Sequence, residues 1–379
     1  MTVLSATSAS AMPAGKNSLP PMAVLGTGRV GQAIAYDLLT HGAERILLVD
    51  MDEERLGAVG SRLSAHGEVT RVQGDLTDPS AVMSLLDGVA TVISAVPYRL
   101  NLPLARLAVE QGHHWVDLGG NTEVVEATLA LDAKAKKKGV SVIPDAGLQP
   151  GLGNILAGDL HRRLGGADEL RVLVGGLPQQ PTGELKYQLV FSIEGLLNEY
   201  HGAVRTLWDT HLREREPLTD VEPFAWSGMP ELECFHTSGS ASTLPGSFEG
   251  KVGRVEVKTV RYAGHAATLE RIFSEVPVSQ RASHFTALLP AEGADLVLMR
   301  VEGRKGTSQI IYEMEDRSDP VTGFSAMMRT TGFPASIVAA LASTGQLPTG
   351  AVVQERDVPA EPVVAGLMER GITVQLHDA

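Results

Sequence analysis

In the stretch Met22 to Asp50, MAVLGTGRVGQAIAYDLLTHGAERILLVD, an apolar run gives way to a glycine-spaced turn, then to apolar residues at helical spacing, then to a second apolar run that stops on an acid. This order predicts strand, turn, helix and strand, the layout of a dinucleotide-binding βαβ unit. After Asp50 the charged and apolar positions of MDEERLGAVGSRLSAHG predict an amphipathic helix, and a short strand is expected around Thr70 to Val72. GVATVISAVP is a continuous apolar run of the kind a buried parallel strand needs, LNLPLARLAVEQG reads as helix, and HHWVDLGG and VSVIPDAG read as two further strands. Alternation of strand and helix to about residue 148 predicts a doubly wound parallel sheet, with ligands along the carboxyl ends of its strands.

From Gly151 the pattern changes. LRVLVGGLP, LKYQLVFS, LECFHTSG, VGRVEVKTVRYAG, ADLVLMRVEG and SQIIYEMED are β-branched or alternate polar with apolar, with few helical stretches between them. Such segments predict a mostly antiparallel sheet in a second domain. Beyond Phe324 helical spacing returns in SAMMRTTGFPASIVAALASTGQLPTG, and GITVQL reads as a last short strand. The expected architecture is α/β: a Rossmann doubly wound parallel sheet interrupted by a second α+β domain with a largely antiparallel sheet. A disordered tail is expected over 1–21, the Rossmann domain over 22–148, the α+β domain over 149–324, and a return segment packing on the Rossmann domain over 325–379.

A chain of 379 residues is too long for one compact core, and its 43% hydrophobic content suffices for two. The formal net charge of −13 argues against a nucleic-acid partner, which needs clustered positive charge. The one basic run, Lys134 to Lys138, falls late in an expected helix, where lysines suit the negative dipole end. Cys234 is the only cysteine, so no internal disulfide and no multi-cysteine metal site can form. No apolar run approaches bilayer-crossing length, and the Ser- and Ala-rich start lacks the basic region and apolar core of a secretory signal. A cytoplasmic protein with no membrane partner is expected. His113 and His114 point to opposite faces of a strand with no further ligand cluster, so no metal is expected.

The glycine turn sets the first chemistry. Gly26 permits the tight turn, Gly28 lets the backbone approach a pyrophosphate, and Gly31 allows close packing of a helix whose N-terminal amides face the phosphates. Thr27, Arg29 and Val30 complete this turn. Asp50, 19 residues beyond Gly31, is placed to accept hydrogen bonds from the adenosine ribose and to repel a 2′-phosphate, which makes NAD the expected cofactor. Asp75 and Leu76, where a third strand would end, are expected beside the adenine, with an ordinary strand-end turn as the alternative. Ser94, Ala95, Val96 and Pro97 close the next strand and join the cofactor-binding set.

Further strings carry a resemblance. GLQPGLGN (Gly147 to Asn154), GGLPQ (Gly175 to Gln179), FSIEGLLNEY (Phe191 to Tyr200), VKTVRYAGH (Val257 to His265) and TTG (Thr330 to Gly332), in that order, resemble the saccharopine dehydrogenase-like superfamily, most closely its lysine 6-dehydrogenase branch. The resemblance implies a homodimer, with 149–324 as substrate and dimerisation domain, and NAD-dependent oxidative deamination of L-lysine at its ε-carbon. The product would be 2-aminoadipate 6-semialdehyde, which cyclises to piperideine-6-carboxylate. Saccharopine dehydrogenases or reductases and carboxynorspermidine-type oxidoreductases share the scheme and stand as alternatives. A non-catalytic NAD-binding sensor is the alternative of another class.

Hydride can leave the ε-carbon productively only when the amine is neutral, and at pH 7 a free ε-amine of pKa about 10.4 lies roughly 4.6 kcal/mol from that state. The site therefore needs an acid-base group near the nicotinamide and a clamp for the α-amino and α-carboxylate groups. Asp117 and Asp145 close two strands at the sheet's carboxyl edge, so either is expected as the base, against the turn role that Asp often takes there. His265 is expected as a proton relay. Arg261, at a strand end beside a glycine turn, is the expected carboxylate clamp, with a structural salt bridge as the competing role. Alternation puts it with Val257 and Thr259, on the face opposite Lys258, Val260 and Tyr262. Glu194, one turn from Asn198 behind a capping Ser192, is expected to meet a substrate ammonium. Asn198, Asn154 and Tyr262 complete the substrate-binding set, while Lys186 and Tyr187, which follow the GGLP segment within reach of the same cleft, read rather as a solvated strand edge.

Overall fold

The computed structural model of the protein describes residues 18–190, 192–290 and 293–378. It forms two compact units, one from the chain up to Ile155 together with Thr331–Leu367, the other from Leu156–Thr330 together with the chain from Met368.

In the first unit six strands pair in parallel: β1 (Met22–Leu25), β2 (Arg45–Asp50), β3 (Glu68–Gln73), β4 (Thr91–Ser94), β5 (His114–Asp117) and β6 (Ser141–Ile143). Their order is β6-β5-β4-β1-β2-β3, and a two-residue strand, Gly350–Ala351, adds to the β6 edge. The chain winds one way from β1 to β3 and the other way from β4 to β6, so the switch point lies between β1 and β4, where such sheets bind their ligands. Every residue of β1 and β4 is buried, as continuous apolar runs require when helices cover both faces. Ala23, Leu25, Val49, Val92, Leu104, Trp115 and Val142 share one core.

The return segment belongs to this unit only in part. Gly332 packs so closely that a Cβ there would stand 3.1 Å from the Ala33 Cβ, and Ala351 pairs with Val142. Val374–Asp378, however, pairs antiparallel with the strand Ser308–Arg317 of the second unit. The expected segment 325–379 is therefore divided, because an apolar alternation reveals a strand without naming the sheet edge it completes. The expected break at 148 moves to Ile155, which leaves the GLQPG turn in the first unit. Of the expected tail over 1–21, residues 1–17 lie outside the described residues. Leu19 is buried, donates its amide to Gly42 at 2.7 Å and accepts from the Glu44 amide at 2.9 Å, so the ordered chain begins before Met22.

The second unit holds β7 (Glu169–Pro178), β8 (Val204–Trp208), β9 (His211–Arg215), β10 (Glu222–Phe224), β11 (Leu232–His236), β12 (Arg254–Tyr262), β13 (Asp295–Lys305) and β14 (Ser308–Arg317). They run in the order β10-β11-β12-β7-β13-β14, with Val374–Asp378 beyond β14 and the β8–β9 hairpin beside β12. All pairings are antiparallel except β12 with β7. The alternation expected in β12 is present. Val260 and Tyr262 enter a core with Leu173, Leu177 and Leu298, and on the same side Lys258 meets Glu222 at 3.1 Å. Phe235, which pairs with Thr259, packs on the other side with Leu269, Ile272 and Phe285 from the helices His265–Glu275 and Val278–Leu288. No helix among the described residues is long and apolar enough to cross a membrane.

Candidate active site

Gly26 follows β1 with a φ of +90°, and the Ala95 carbonyl oxygen lies 2.9 Å from where a Cβ would stand. Gly31 is tighter still, since its Cβ would lie 1.9 Å from the Gly26 carbonyl oxygen. Gly28 differs from both. A Cβ there meets no atom within 4 Å, and the residue stands at the N-cap of the helix Arg29–Thr40, where it offers no side chain to cap the first turn. Open space at the positive end of a helix fits a pyrophosphate. The two glycines should therefore respond differently to one added methyl. Gly31→Ala is expected to destabilise the fold by about 1–3 kcal/mol through overpacking. Gly28→Ala should stay within about 1 kcal/mol of the parent in denaturant melts yet weaken NADH about tenfold or more in a fluorescence titration.

Asp50 ends β2 and is 5% exposed. Its Oδ2 accepts from the Thr27 amide at 2.6 Å and the Thr27 hydroxyl at 2.8 Å, and its Oδ1 accepts from the Asp52 amide at 3.0 Å and the Arg55 guanidinium at 2.9 Å. Burial pushes this carboxyl's pKa up, but the four donors outweigh it and hold it below the ordinary aspartate range. The segment after β4 closes on the same turn: the Ala95 amide donates to Leu25 at 2.8 Å, and a Val96 methyl lies 3.0 Å from the Cβ that Gly26 lacks. Ser94 donates its hydroxyl to Asn101 at 2.8 Å. So Gly26 to Gly31, Asp50 and Ser94 to Val96 come together. Asp75 and Leu76 divide. Asp75 is exposed and accepts from the amide and hydroxyl of Thr77 in a local turn, whereas Leu76 is buried in the core with Val82 and Leu86.

At the carboxyl edge of the same sheet Asp117 is 1% exposed and pairs across the ladder with Ser94. Its Oδ2 accepts from the Trp115 indole N–H at 2.7 Å and its Oδ1 from the Gly119 amide at 2.8 Å. Burial pushes its pKa up to about 6, against the lowering effect of these donors and of the Asp145 amide. Asp145 is equally buried and adopts a φ of +60°. Its Oδ1 lies 1.9 Å from where a Gly119 Cβ would be, so Gly119 is what lets both carboxylates share one turn. Asn154 is fully buried, accepts from Gln149 at 3.0 Å and donates to Glu355 at 3.0 Å, bracing the GLQPG turn from within. No group of His, Cys, Asp or Glu among the described residues could hold a metal ion.

The second unit gathers a different polar cluster. Arg261, 3% exposed, donates to Glu199 at 3.1 Å and to its neighbour's carbonyl, that of Val260, at 3.0 Å, and its guanidinium carbon stands 4.6 Å from the centre of the Tyr187 ring. The carboxylate it holds here is internal, which is the competing structural role. Burial keeps the Glu199 carboxyl above its ordinary range even with Arg261 beside it. His265 Nδ1 faces the Leu185 carbonyl at 2.9 Å; a carbonyl only accepts, so Nδ1 carries the proton and Nε2 is left to accept from the Tyr200 hydroxyl at 3.4 Å. Burial, helped by Arg261, pushes the imidazole pKa down to about 3. In this setting His265 is held by the Leu185 carbonyl and stacked on Phe235, an arrangement that favours a packing role over the expected relay. Tyr262 donates to the Pro178 carbonyl at 2.8 Å on the opposite face of β12, away from Arg261. Glu194 is exposed in the first turn of the helix Ile193–Glu199, and Asn198 is half-buried near its end.

Two members of this cluster were not placed in the expected site by the sequence pattern. Tyr187 is no solvated edge but lies buried between Arg261 and His265. Glu199, five residues from Glu194, sits on a different side of the helix from the Glu194 and Asn198 pair.

The sequence from 22 to 143 matches the saccharopine dehydrogenase NADP binding domain, and that from 147 to 372 the saccharopine dehydrogenase C-terminal domain. The chain belongs to the saccharopine dehydrogenase family. Among curated relatives it is 28% identical over 211 residues to a saccharopine dehydrogenase [NADP(+), L-glutamate-forming] of Pyricularia oryzae, a match covering 53% of this chain and 45% of that protein. A protein of the same description from Saccharomyces cerevisiae is 25% identical over 189 residues, covering 48% and 40%. The matches thus span less than half the length of these relatives. The solved saccharopine dehydrogenase (L-Glu forming) of Saccharomyces cerevisiae covers 95% of this chain and 100% of its own, with a TM-score of 0.74 at 17% identity, a likeness of fold. A Rossmann-like parallel sheet followed by a mixed, mostly antiparallel one is the fold of this family, and the match to its NADP binding domain includes the glycine turn.

Proposed function

We propose that this chain catalyses the NAD-dependent oxidative deamination of L-lysine at its ε-carbon, giving 2-aminoadipate 6-semialdehyde and ammonia. The supporting observation is Asp117, a buried carboxyl at the carboxyl end of β5, beside the end of β4, with a pKa near 6. An amine must lose a proton before hydride departs, and a base that titrates close to neutrality at this edge suits that task. The Trp115 indole and the Gly119 amide fix its two oxygens as acceptors, so the carboxylate is held in place before it takes up a proton. Asp145, sharing the turn, is the second group able to take or return a proton as water adds and ammonia leaves. When bound, the oxidised nicotinamide would accept the hydride. Asp50 supports NAD as the cofactor, since its carboxylate is kept ionised where the ribose hydroxyls would lie. A cytoplasmic homodimer is proposed as the working form.

The names of the relatives favour a second proposal, oxidation of saccharopine, which would need a site for a second dicarboxylate. The two differ in a simple assay. With purified protein, L-lysine and NAD alone should yield NADH at neutral to alkaline pH and a product that 2-aminobenzaldehyde traps. NADH formation from saccharopine, but none from lysine, would favour the second reaction.

A further inference from the structure

A cavity of about 300 Å³ lies in the second unit, lined by none of the residues assigned above to the dinucleotide or to proton transfer. That volume reaches the range in which proteins hold small ligands. Pro178, Pro290 and Ala294 give it apolar walls, and Tyr187 and Gln188, 2% and 8% exposed, line it from within. Its carboxamides are turned one way. Gln188 donates Nε2 to the Gly293 carbonyl at 3.1 Å, and Gln179, also in the lining, donates Nε2 to the Asp295 carbonyl at 2.8 Å. A carbonyl only accepts, so each side chain is fixed with its nitrogen on the chain and its oxygen left over. Neither Oε1 accepts from any described residue, and the buried Tyr187 hydroxyl has no partner among them either. Gly293 leaves room at the Gln188 oxygen, since a Cβ there would stand 2.6 Å from it.

Among the described residues no charged side chain lines the cavity, so an ion entering it would lose its hydration without gaining a countercharge. An anion would also face two acceptor oxygens. The lining suits an uncharged molecule that donates N–H bonds and carries an apolar body. We propose that this cavity is a binding site for a small uncharged molecule bearing a primary carboxamide, whose N–H bonds go to the side-chain oxygens of Gln188 and Gln179 while its apolar part lies against Pro178, Pro290 and the Tyr187 ring. An NH2 group has two such bonds to give, one for each oxygen, and forming them satisfies acceptors that the chain leaves unpaired. The site goes beyond the lysine reaction and does not depend on it.

Ligand-observed NMR on the full chain, with NADH in excess to fill the dinucleotide site, tests this with benzamide as the probe. Benzamide should bind with a Kd of about 1 mM or tighter. Benzoate and benzylammonium, which bring a charge, and N,N-dimethylbenzamide, which has no N–H, should each bind about tenfold more weakly or worse. Gln188→Met keeps the length of the side chain without its amide, and should weaken benzamide about tenfold while NADH affinity and the lysine-dependent rate stay near those of the parent. Should that variant fail to fold, Gln179→Met, at a half-buried position, carries the same expectation. No binding of benzamide at about 10 mM, equal or tighter binding of any of the other three probes, or a benzamide affinity unchanged within about twofold in a folded variant would each overturn the proposal.

Discussion

Replacing Asp117 with Asn is expected to lower kcat for lysine oxidation by about 10²- to 10⁴-fold, the range for loss of a positioned base, while NADH affinity stays nearly unchanged. Asparagine keeps the shape and one acceptor but cannot take up the proton. The pH dependence makes the assignment specific. Burial pushes the Asp117 pKa up to about 6, so the wild-type rate should rise with pH through about 6 as the carboxyl ionises, and the variant should lose that limb. Stability moves the opposite way. A carboxyl whose folded pKa lies above its unfolded value contributes stability that is fully present below the unfolded pKa and is lost as pH rises through the folded one. The wild-type melting midpoint should accordingly carry a downward component between about pH 4 and pH 6 that Asp117→Asn removes. A fall in NADH affinity as steep as the fall in kcat would make Asp117 a structural residue.

Arg261→Ala is expected to cost about 3 kcal/mol of stability, the low end of the range for breaking a buried ion pair, because the Glu199 carboxylate left behind is still 24% exposed. The loss has two parts, the unpaired carboxylate and the guanidinium face removed from the Tyr187 ring. Pairing the change with Glu199→Gln removes the stranded charge and should restore about half of the loss in urea melts. If Arg261 instead gripped a substrate carboxylate in the resting protein, the single variant would melt normally and raise KM alone.

The first unit was legible because its signals are local. Apolar runs with a fixed hand of winding leave few ways to order β1 to β6, and the spacing of Gly26, Gly28 and Gly31 marks one turn. Asp117 was legible for the same reason, standing at the end of a buried strand. The second unit hides its chemistry in long-range pairs. Alternation assigned Arg261 to the correct face of β12, but its partner Glu199 lies 62 residues earlier, and no periodicity links the two. His265 looked like a relay until burial against Phe235 and Arg261 was known, since an imidazole's charge depends on what surrounds it. Arg55 stood close to Asp50 in sequence, yet only the structure shows its guanidinium to be one of four donors on that carboxylate. Val374–Asp378 was recognisable as a strand and misplaced, because sheet partners are chosen by the fold and not by the strand's own pattern.

Oxidation at the ε-carbon can be followed atom by atom. L-lysine deuterated at that carbon, incubated with the purified protein and NAD without any second dicarboxylate, should pass one deuterium to the reduced cofactor, seen as a one-mass-unit gain in NADH by mass spectrometry. Lysine deuterated at the α-carbon should pass none. Transfer from the α-carbon, or no transfer from either lysine while saccharopine reduces the cofactor, would contradict the proposed reaction.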